Sequence, residues 1–202
     1  MISVDCKFPE LAQKLKEICK TGTTKNCLVC FNNFHIDNKT SPEYFKKAWA
    51  YYYSNFATSE SLKKIQFSNK LDYGDAYSFL FYFKPNDNRE EIELKKRKIS
   101  KIWNNKKVVF VINENSKILK DTECFKYVKE KEYIYGPSQD AYSEYNAILS
   151  KITKSYDTSW LIYIEMGACA TVLSYELSHL GYQALDMGSY YDRIYTNYFW
   201  KL

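Results

Sequence analysis

Apolar and polar positions along this chain follow two rhythms. Leu11, Leu15 and Ile18 recur at helical spacing with lysines opposite, which predicts a helix over Leu11–Cys19. Ile92, Ile99 and Trp103 mark the buried face of a charged helix over Arg89–Trp103. Ala141–Lys154 reads as a third, amphipathic helix, and Thr122–Lys129 as a shorter one. Elsewhere the rhythm gives way to unbroken apolar runs. VVFVI (Val108–Ile112) and LIYIE (Leu161–Glu165) are apolar on both sides, as strands buried in a parallel sheet are. Tyr133–Tyr135 predicts a short strand closed by Gly136-Pro137. A further amphipathic helix follows Gly167, and YQALD (Tyr182–Asp186) is the strand after it.

The first third is less rhythmic. Cys27–Phe31 predicts a short buried strand, and a polar loop covers Asn32–Thr40. Ser41-Pro42-Glu43 opens a helix, with Ser41 as cap and Pro42 at the first helical position. Ser59–Phe67 predicts another helix, and Asp75–Phe83 suits strand or helix equally. Strands alternating with helices through short turns predict an α/β fold. The expected architecture is a Rossmann-like, mostly parallel sheet flanked by helices. No repeat or linker-like tract divides residues 1–202, so a single domain is expected.

Composition narrows the class. An apolar share of 46% excludes a disordered chain. The tyrosine excess accompanies abundant Lys and Asn, a bias that an AT-rich genome alone would produce, so no function is read from it. The net charge of +5 is scattered, without the dense basic stripe of a nucleic-acid binder. No nucleic-acid partner is expected. No apolar run is long enough to span a bilayer, and the first residues lack a signal-peptide run. A cytoplasmic location is expected, with contact to the inner membrane face left open. Cys27 and Cys30 form a CxxC, the spacing of half a zinc site or a redox pair. In a strand they would face opposite ways, no second pair exists, and His35 is alone nearby. Both are read as reduced core thiols. His179 lies late in its helix, where it would meet the helix C-terminus.

Four loops follow predicted strands, where α/β proteins place their chemistry. In Gly167-Ala168-Cys169-Ala170-Thr171, the glycine permits a sharp turn and the small residues let a ligand reach the main chain. The helix start then offers unpaired N–H groups to a phosphate. The same small residues would equally serve to pack helix on sheet. In Asn113-Glu114-Asn115-Ser116-Lys117, Glu114 could accept a hydroxyl or ligate a metal and Lys117 could meet a phosphate; a solvated loop has the same composition. Leu185-Asp186-Met187-Gly188-Ser189 ends a strand on a carboxylate, or simply turns. Gly136–Asp140 offers Ser138 or Asp140 as helix caps.

The order and spelling of these segments from Trp103 to Ser189 resemble the GT-D type bacterial glycosyltransferases. That family carries a Trp-led strand ending in G-E-x-S-R, a P-x-x-N-A turn, L-G-P-T-A-T-V-L-A-x-D-L and G-Y-Q-A-L-D-I-G-H. Glu114 and Ser116 stand at its Glu and Ser, and Lys117 at its Arg. Asp140 replaces its Asn. Gly167, Ala170 and Thr171 are kept, while Ala168 and Cys169 replace Pro and Thr. Tyr182, Gln183, Asp186 and Gly188 are kept, and Ser189 replaces His. The family's Asp-x-Glu segment, R-F-G-D-G-E, has its nearest counterpart in Asp72–Tyr77, which retains Gly74 and Asp75 but has Tyr77 in place of the Glu.

The resemblance implies transfer of a hexose from a nucleoside diphosphate sugar, a UDP-sugar in the first instance, to a glycan or glycoprotein hydroxyl. It implies Asp75, Glu114 and Asp186 as catalytic candidates, with Asp186 orienting a hydroxyl or a metal. Ser116, Lys117, Gly167, Ala168, Cys169, Ala170, Thr171, Gly188 and Ser189 become nucleotide-sugar-binding candidates. Mn2+ or Mg2+ would neutralise the leaving diphosphate, with no ligand set fixed by the sequence. The degenerate Asp-x-Glu segment leaves a second reading open, a non-catalytic sugar-nucleotide-binding or accessory protein of a glycosylation pathway. A third, another Rossmann-like nucleotide enzyme, lacks both G-x-G-x-x-G and G-x-x-x-x-G-K-[ST].

Overall fold

A computed structural model describes residues 7–31, 74–75, 88–116, 118 and 124–188. The helices expected at Ser41 and at Ser59–Phe67, the polar loop after Phe31 and all but the first residue of the Asp75–Phe83 segment lie outside the described residues. So do Lys117 and Ser189. The backbone groups into two compact units, residues 13–78 and residues 1–12 with 79–202.

The second of these holds a four-stranded, wholly parallel sheet. Helix α1 spans Pro9–Thr21, with Leu11 and Ile18 buried as its spacing predicts. Strands β1 (Cys30–Phe31) and β2 (Gly74–Asp75) belong to the smaller unit and pair in parallel. The larger unit continues with α2 (Arg89–Ser100), β3 (Lys107–Asn113) and β4 (Glu130–Gly136). A 3-10 turn (Ala141–Glu144), α3 (Tyr145–Ser155), β5 (Leu161–Ile164), α4 (Ala168–His179) and β6 (Gln183–Asp186) complete it.

Local chemistry sets these bounds. α2 starts at a capping box: Asn88 Oδ1 accepts from the Glu91 amide (2.9 Å) and Glu91 Oε2 from the Asn88 amide (2.8 Å). β3 is buried on both faces because α2 covers one and α3 and α4 lie on the other. On the first face Val108, Phe110, Ile112, Leu161 and Tyr163 pack with Ile99, Trp103 and Phe125. On the second, Val109, Val111, Ile134, Ile162 and Ile164 are buried on the side of Ile148 and Ile152 of α3 and Val172, Leu173 and Leu177 of α4.

The strand order is β4-β3-β5-β6. The chain leaves β3 toward one side, returns past it to β5 and continues outward to β6. The direction of winding therefore reverses between β3 and β5, which is the topological switch point where such sheets hold ligands beyond their strand ends.

Three expectations need correction. Thr122–Lys129 is not a helix in its described part, where Cys124–Tyr127 form a turn. Its apolar spacing mimics a helix because Cys124, Phe125 and Val128 plug the α2 face of the sheet. β4 is longer than Tyr133–Tyr135. The CxxC thiols are not core: Cys30 is exposed and Cys27 half-buried. There the Thr23 and Thr24 hydroxyls take the Val29 and Cys27 amides (3.1 Å each), so turn bonding displaces all but two residues of the expected strand.

Candidate functional site

Four loops leave the C-terminal edge of the sheet together, because the register pairs Asn113 with Gly136, Val111 with Ile164, and Ile164 with Asp186. The loops of Glu114 and Gly167 flank the switch point directly. Glu114 and Asp186 lie to either side of β5, about 10 Å apart by strand spacing.

The loop after β5 is the most specialised. Gly167 adopts φ 54°, ψ −141°, a region essentially reserved for glycine. It is the N-cap of α4 and makes no side-chain cap. The Ala170 amide bonds the Gly167 carbonyl (3.0 Å), while the amides before it have no carbonyl four residues back within the helix, so a helix dipole and open donors begin at this point. A Cβ built on Gly167 meets no described atom within 4 Å, and neither does one on Gly188, also at φ 54°. Both glycines border open space. Cys169 and Ala170 are buried, so this turn offers a ligand its main chain and not those side chains.

Asp186 ends β6 beside this turn. The Thr171 hydroxyl donates to its Oδ2 (2.6 Å) and the Gly188 amide to its Oδ1 (3.0 Å). Surrounding protein atoms raise the carboxyl above its ordinary value, and those two hydrogen bonds oppose the rise. Asp186 nevertheless keeps an exposed surface. The nearby Cys169 thiol is pushed up to about 11, chiefly by burial and further by Asp186.

Glu114 is exposed in the turn after β3. The turn is shaped by Asn113, whose Oδ1 accepts from the Asn115 amide (2.9 Å) and whose carbonyl accepts from Ser116 (3.0 Å). Ser116 Oγ accepts from the Ile118 amide (3.3 Å), so its hydroxyl shapes the loop. Asp75 lies in the smaller unit, its backbone in β2; its side chain is outside the described residues.

Two features escaped sequence reasoning. Glu165, at the tip of β5, accepts a hydrogen bond from the fully buried Tyr163 hydroxyl (2.8 Å). Residues two apart on a strand share a face, so the Tyr-x-Glu spacing was the available signal. Asp140 takes the N-cap position of the 3-10 turn at φ 53° but makes no cap bond; it pairs with Lys7. Phe8 meets Tyr142 edge-on at 5.6 Å, so the N-terminal segment is pinned to the loop after β4. No local pattern announces that contact. His179 behaves as expected, its Nδ1 2.8 Å from the Tyr175 carbonyl in the last turn of α4. Among the described residues no three His, Cys, Asp or Glu side chains gather as a metal site. None of the described helices is long and apolar enough to cross a membrane.

Comparison with known proteins converges on one family. The model for the glycosyltransferase GT-D fold matches residues 5–201. The glycosyltransferase GlyD of Streptococcus pneumoniae serotype 4 is 23% identical over 182 residues, covering 89% of this chain and 21% of that protein. The probable glycosyl transferase Gly of Streptococcus gordonii is 32% identical over 91 residues, 45% of this chain and 13% of that one. The chain thus spans about a fifth or less of the length of these curated relatives. Among solved structures, a highly conserved domain of unknown function (1792) with a distinct glycosyltransferase fold superposes at a TM-score of 0.73. It is 22% identical over 96% of this chain and 69% of its own. A new glycosyltransferase (DUF1792) from Streptococcus sanguinis gives 0.72 at 24% identity, over 94% and 70%. Those two likenesses are of fold. The family match runs through both compact units and every loop of the strand edge described above, and by it this chain belongs to the glycosyltransferase family with the GT-D fold.

Proposed function

We propose that this chain is the transferase domain of a glycosyltransferase that moves a hexose from a nucleoside diphosphate sugar, with UDP as the first nucleotide to test, to a hydroxyl of a glycan or glycoprotein. One observation carries the reading. The uncapped start of α4, headed by a positive-φ glycine facing open space, lies at the switch point of a parallel sheet with a carboxylate held by two hydrogen bonds beside it.

Each part has a role in that chemistry. The leaving diphosphate carries more negative charge as the sugar departs, and fixed amide dipoles at Gly167 and Ala168 answer it without reorganising. Asp186 and Glu114 are acceptors for sugar, ribose or acceptor hydroxyls. Ser116, Lys117 and Ser189 remain binding candidates. Mn2+ or Mg2+ enters this reading as an ion that neutralises the leaving diphosphate, with Asp186 and Asp75 as its candidate protein contacts. The reaction uses cytoplasmic donors, which supports a cytoplasmic site of action.

The test is titration with UDP, UDP-glucose and UDP-galactose, with and without Mn2+, following heat of binding and release of free sugar. Binding with slow hydrolysis supports a transferase. The Tyr77 that replaces the family's Glu favours a second outcome, binding without hydrolysis or transfer to any glycan, and then the accessory reading stands. No binding to any sugar nucleotide removes both.

A further inference from the structure

The residues of the α4 turn do not all face the ligand they border. Cys169 and Ala170 are buried. Thr171 is half-buried in the first turn of the helix, where a hydroxyl is well placed to meet a phosphate. In the structure it does something else: it donates to Asp186 Oδ2 at 2.6 Å, across from helix to strand. The other carboxylate oxygen accepts from the Gly188 amide at 3.0 Å. Two donors from two different elements hold a carboxylate in one rotamer and one plane.

We propose that Thr171 is a positioning residue for Asp186, fixing the carboxylate at the mouth of the α4 turn, and that it does not ligate the phosphates itself. The proposal rests on the functional reading above only for the meaning of Asp186.

Three observations favour positioning over a mere staple between helix and strand. Asp186 keeps solvent-exposed surface, and a hydrogen bond among exposed groups adds little to stability. The positions bordering it on both loops, Gly167 and Gly188, face open space, so the fixed carboxylate has room before it for a substrate hydroxyl. The Asp-x-Gly turn alone leaves one oxygen unheld, and Thr171 supplies the second contact that a defined acceptor geometry needs. The division of labour then follows. Main-chain amides bind the anion, while the threonine aims the carboxylate.

Thr171→Val keeps the side-chain shape and β-branching of the native residue and removes only the hydroxyl. Thr171→Ser keeps the hydroxyl. If Thr171 positions Asp186, the valine variant keeps UDP affinity within about twofold and loses turnover, as donor hydrolysis or transfer, by on the order of 10–100-fold, the scale for removing a partner that orients a functional side chain. The serine variant recovers turnover to within a few-fold. A tenfold loss of UDP affinity in the valine variant would overturn the proposal and make Thr171 a phosphate ligand. Equal turnover in wild type and valine variant would overturn it as well.

A second readout needs no substrate. The Gly188 amide reports the carboxylate plane, so its NMR resonance should shift and its hydrogen exchange quicken in Thr171→Val but not in Thr171→Ser. An unmoved Gly188 amide sinks the proposal. Wild type that binds no nucleotide sinks the functional reading instead, and Gly188 still decides whether Thr171 orients Asp186.

Discussion

The two edges of the four-stranded sheet are built on opposite rules. At the N-terminal edge most polar side chains pair with one another, the buried and unpartnered Asn104 Oδ1 apart. Lys107 bonds Glu130 at 3.2 Å and lies over the Trp160 ring at 5.1 Å; Lys106 donates to Gln183 at 2.6 Å. The Trp103 indole donates to the Cys124 carbonyl at 3.0 Å, and the Tyr182 hydroxyl to the Tyr156 carbonyl at 2.8 Å. At the C-terminal edge beyond β5 and β6, glycines replace side chains, a helix starts uncapped, and a carboxylate is held where its ordinary ionisation is opposed. A closed edge stabilises the fold. An edge with unsatisfied donors and an unfavourably placed charge costs stability, a cost that fits the proposed ligand-binding role.

The comparison breaks first if its strongest member fails. Trp103 is wholly buried and contacts Phe125 and Tyr163 with ring centroids at 5.1 and 6.0 Å. Trp103→Ala removes that packing and the bond to the Cys124 carbonyl, and about 3–5 kcal/mol of stability is expected to go with it. Urea unfolding measures the loss. A variant that stays within 1 kcal/mol of wild type, on the scale of a surface substitution, would show that this edge is not what holds the sheet.

Gly167→Asp is the mirror experiment. The backbone region at Gly167 is hostile to any side chain, at roughly 1–3 kcal/mol, yet the space around it is open, so the fold should survive. The new carboxylate would occupy the amides proposed to bind the diphosphate. Loss of UDP binding by about a hundredfold or more, some 2.7 kcal/mol, is expected by calorimetry. A variant that binds UDP as wild type does would empty the α4 start of its role.

How much of this was legible in the chain follows from the same contrast. VVFVI and LIYI could be read because strands covered on both faces leave no polar position to confuse the pattern. β4 lies at the margin of the sheet, so Glu130 and Glu132 stay exposed along it, and only its centre looked like a strand. The segment at Cys124–Val128 misled because filling a sheet face and forming a helix face can require the same spacing. The glycines and Asp186 were visible as loop residues after strands. What no local rule could give was partnership at a distance: Thr171 with Asp186, Lys7 with Asp140, Phe8 with Tyr142. Those depend on where the strand order reverses, and order is not written in any one segment.

Asp186→Asn sharpens the comparison through pH. Crowding raises the folded carboxyl pKa above the unfolded value, so the folded state binds its proton more tightly. That contribution favours folding in acid and is lost as pH rises through the folded pKa. Asparagine removes the charge and with it the loss. The variant should therefore melt higher than wild type at pH 7, with the advantage fading below about pH 4, where an ordinary aspartate is itself neutral. Turnover should fall at every pH. A variant that melts lower at pH 7 would mean that the two hydrogen bonds outweigh the crowding, and Asp186 would then stabilise the fold instead of taxing it.

The smallest effect tests whether the paired edge is truly indifferent to ligand. Lys107 and Glu130 are each well exposed, and their bridge competes with water and salt. Lys107→Met keeps an apolar stem against Trp160 and removes the charge, so it deletes the ion pair and the cation–π contact together. The expected loss is within about 1 kcal/mol, shrinking further at high ionic strength because exposed pairs are screened. UDP affinity should not change, since the substitution lies at the opposite end of the strands from Gly167. If binding weakened while stability held, charge at the N-terminal edge would be reaching the ligand through the length of the sheet, and the division between a closed, stabilising edge and an open, binding one would have to be given up.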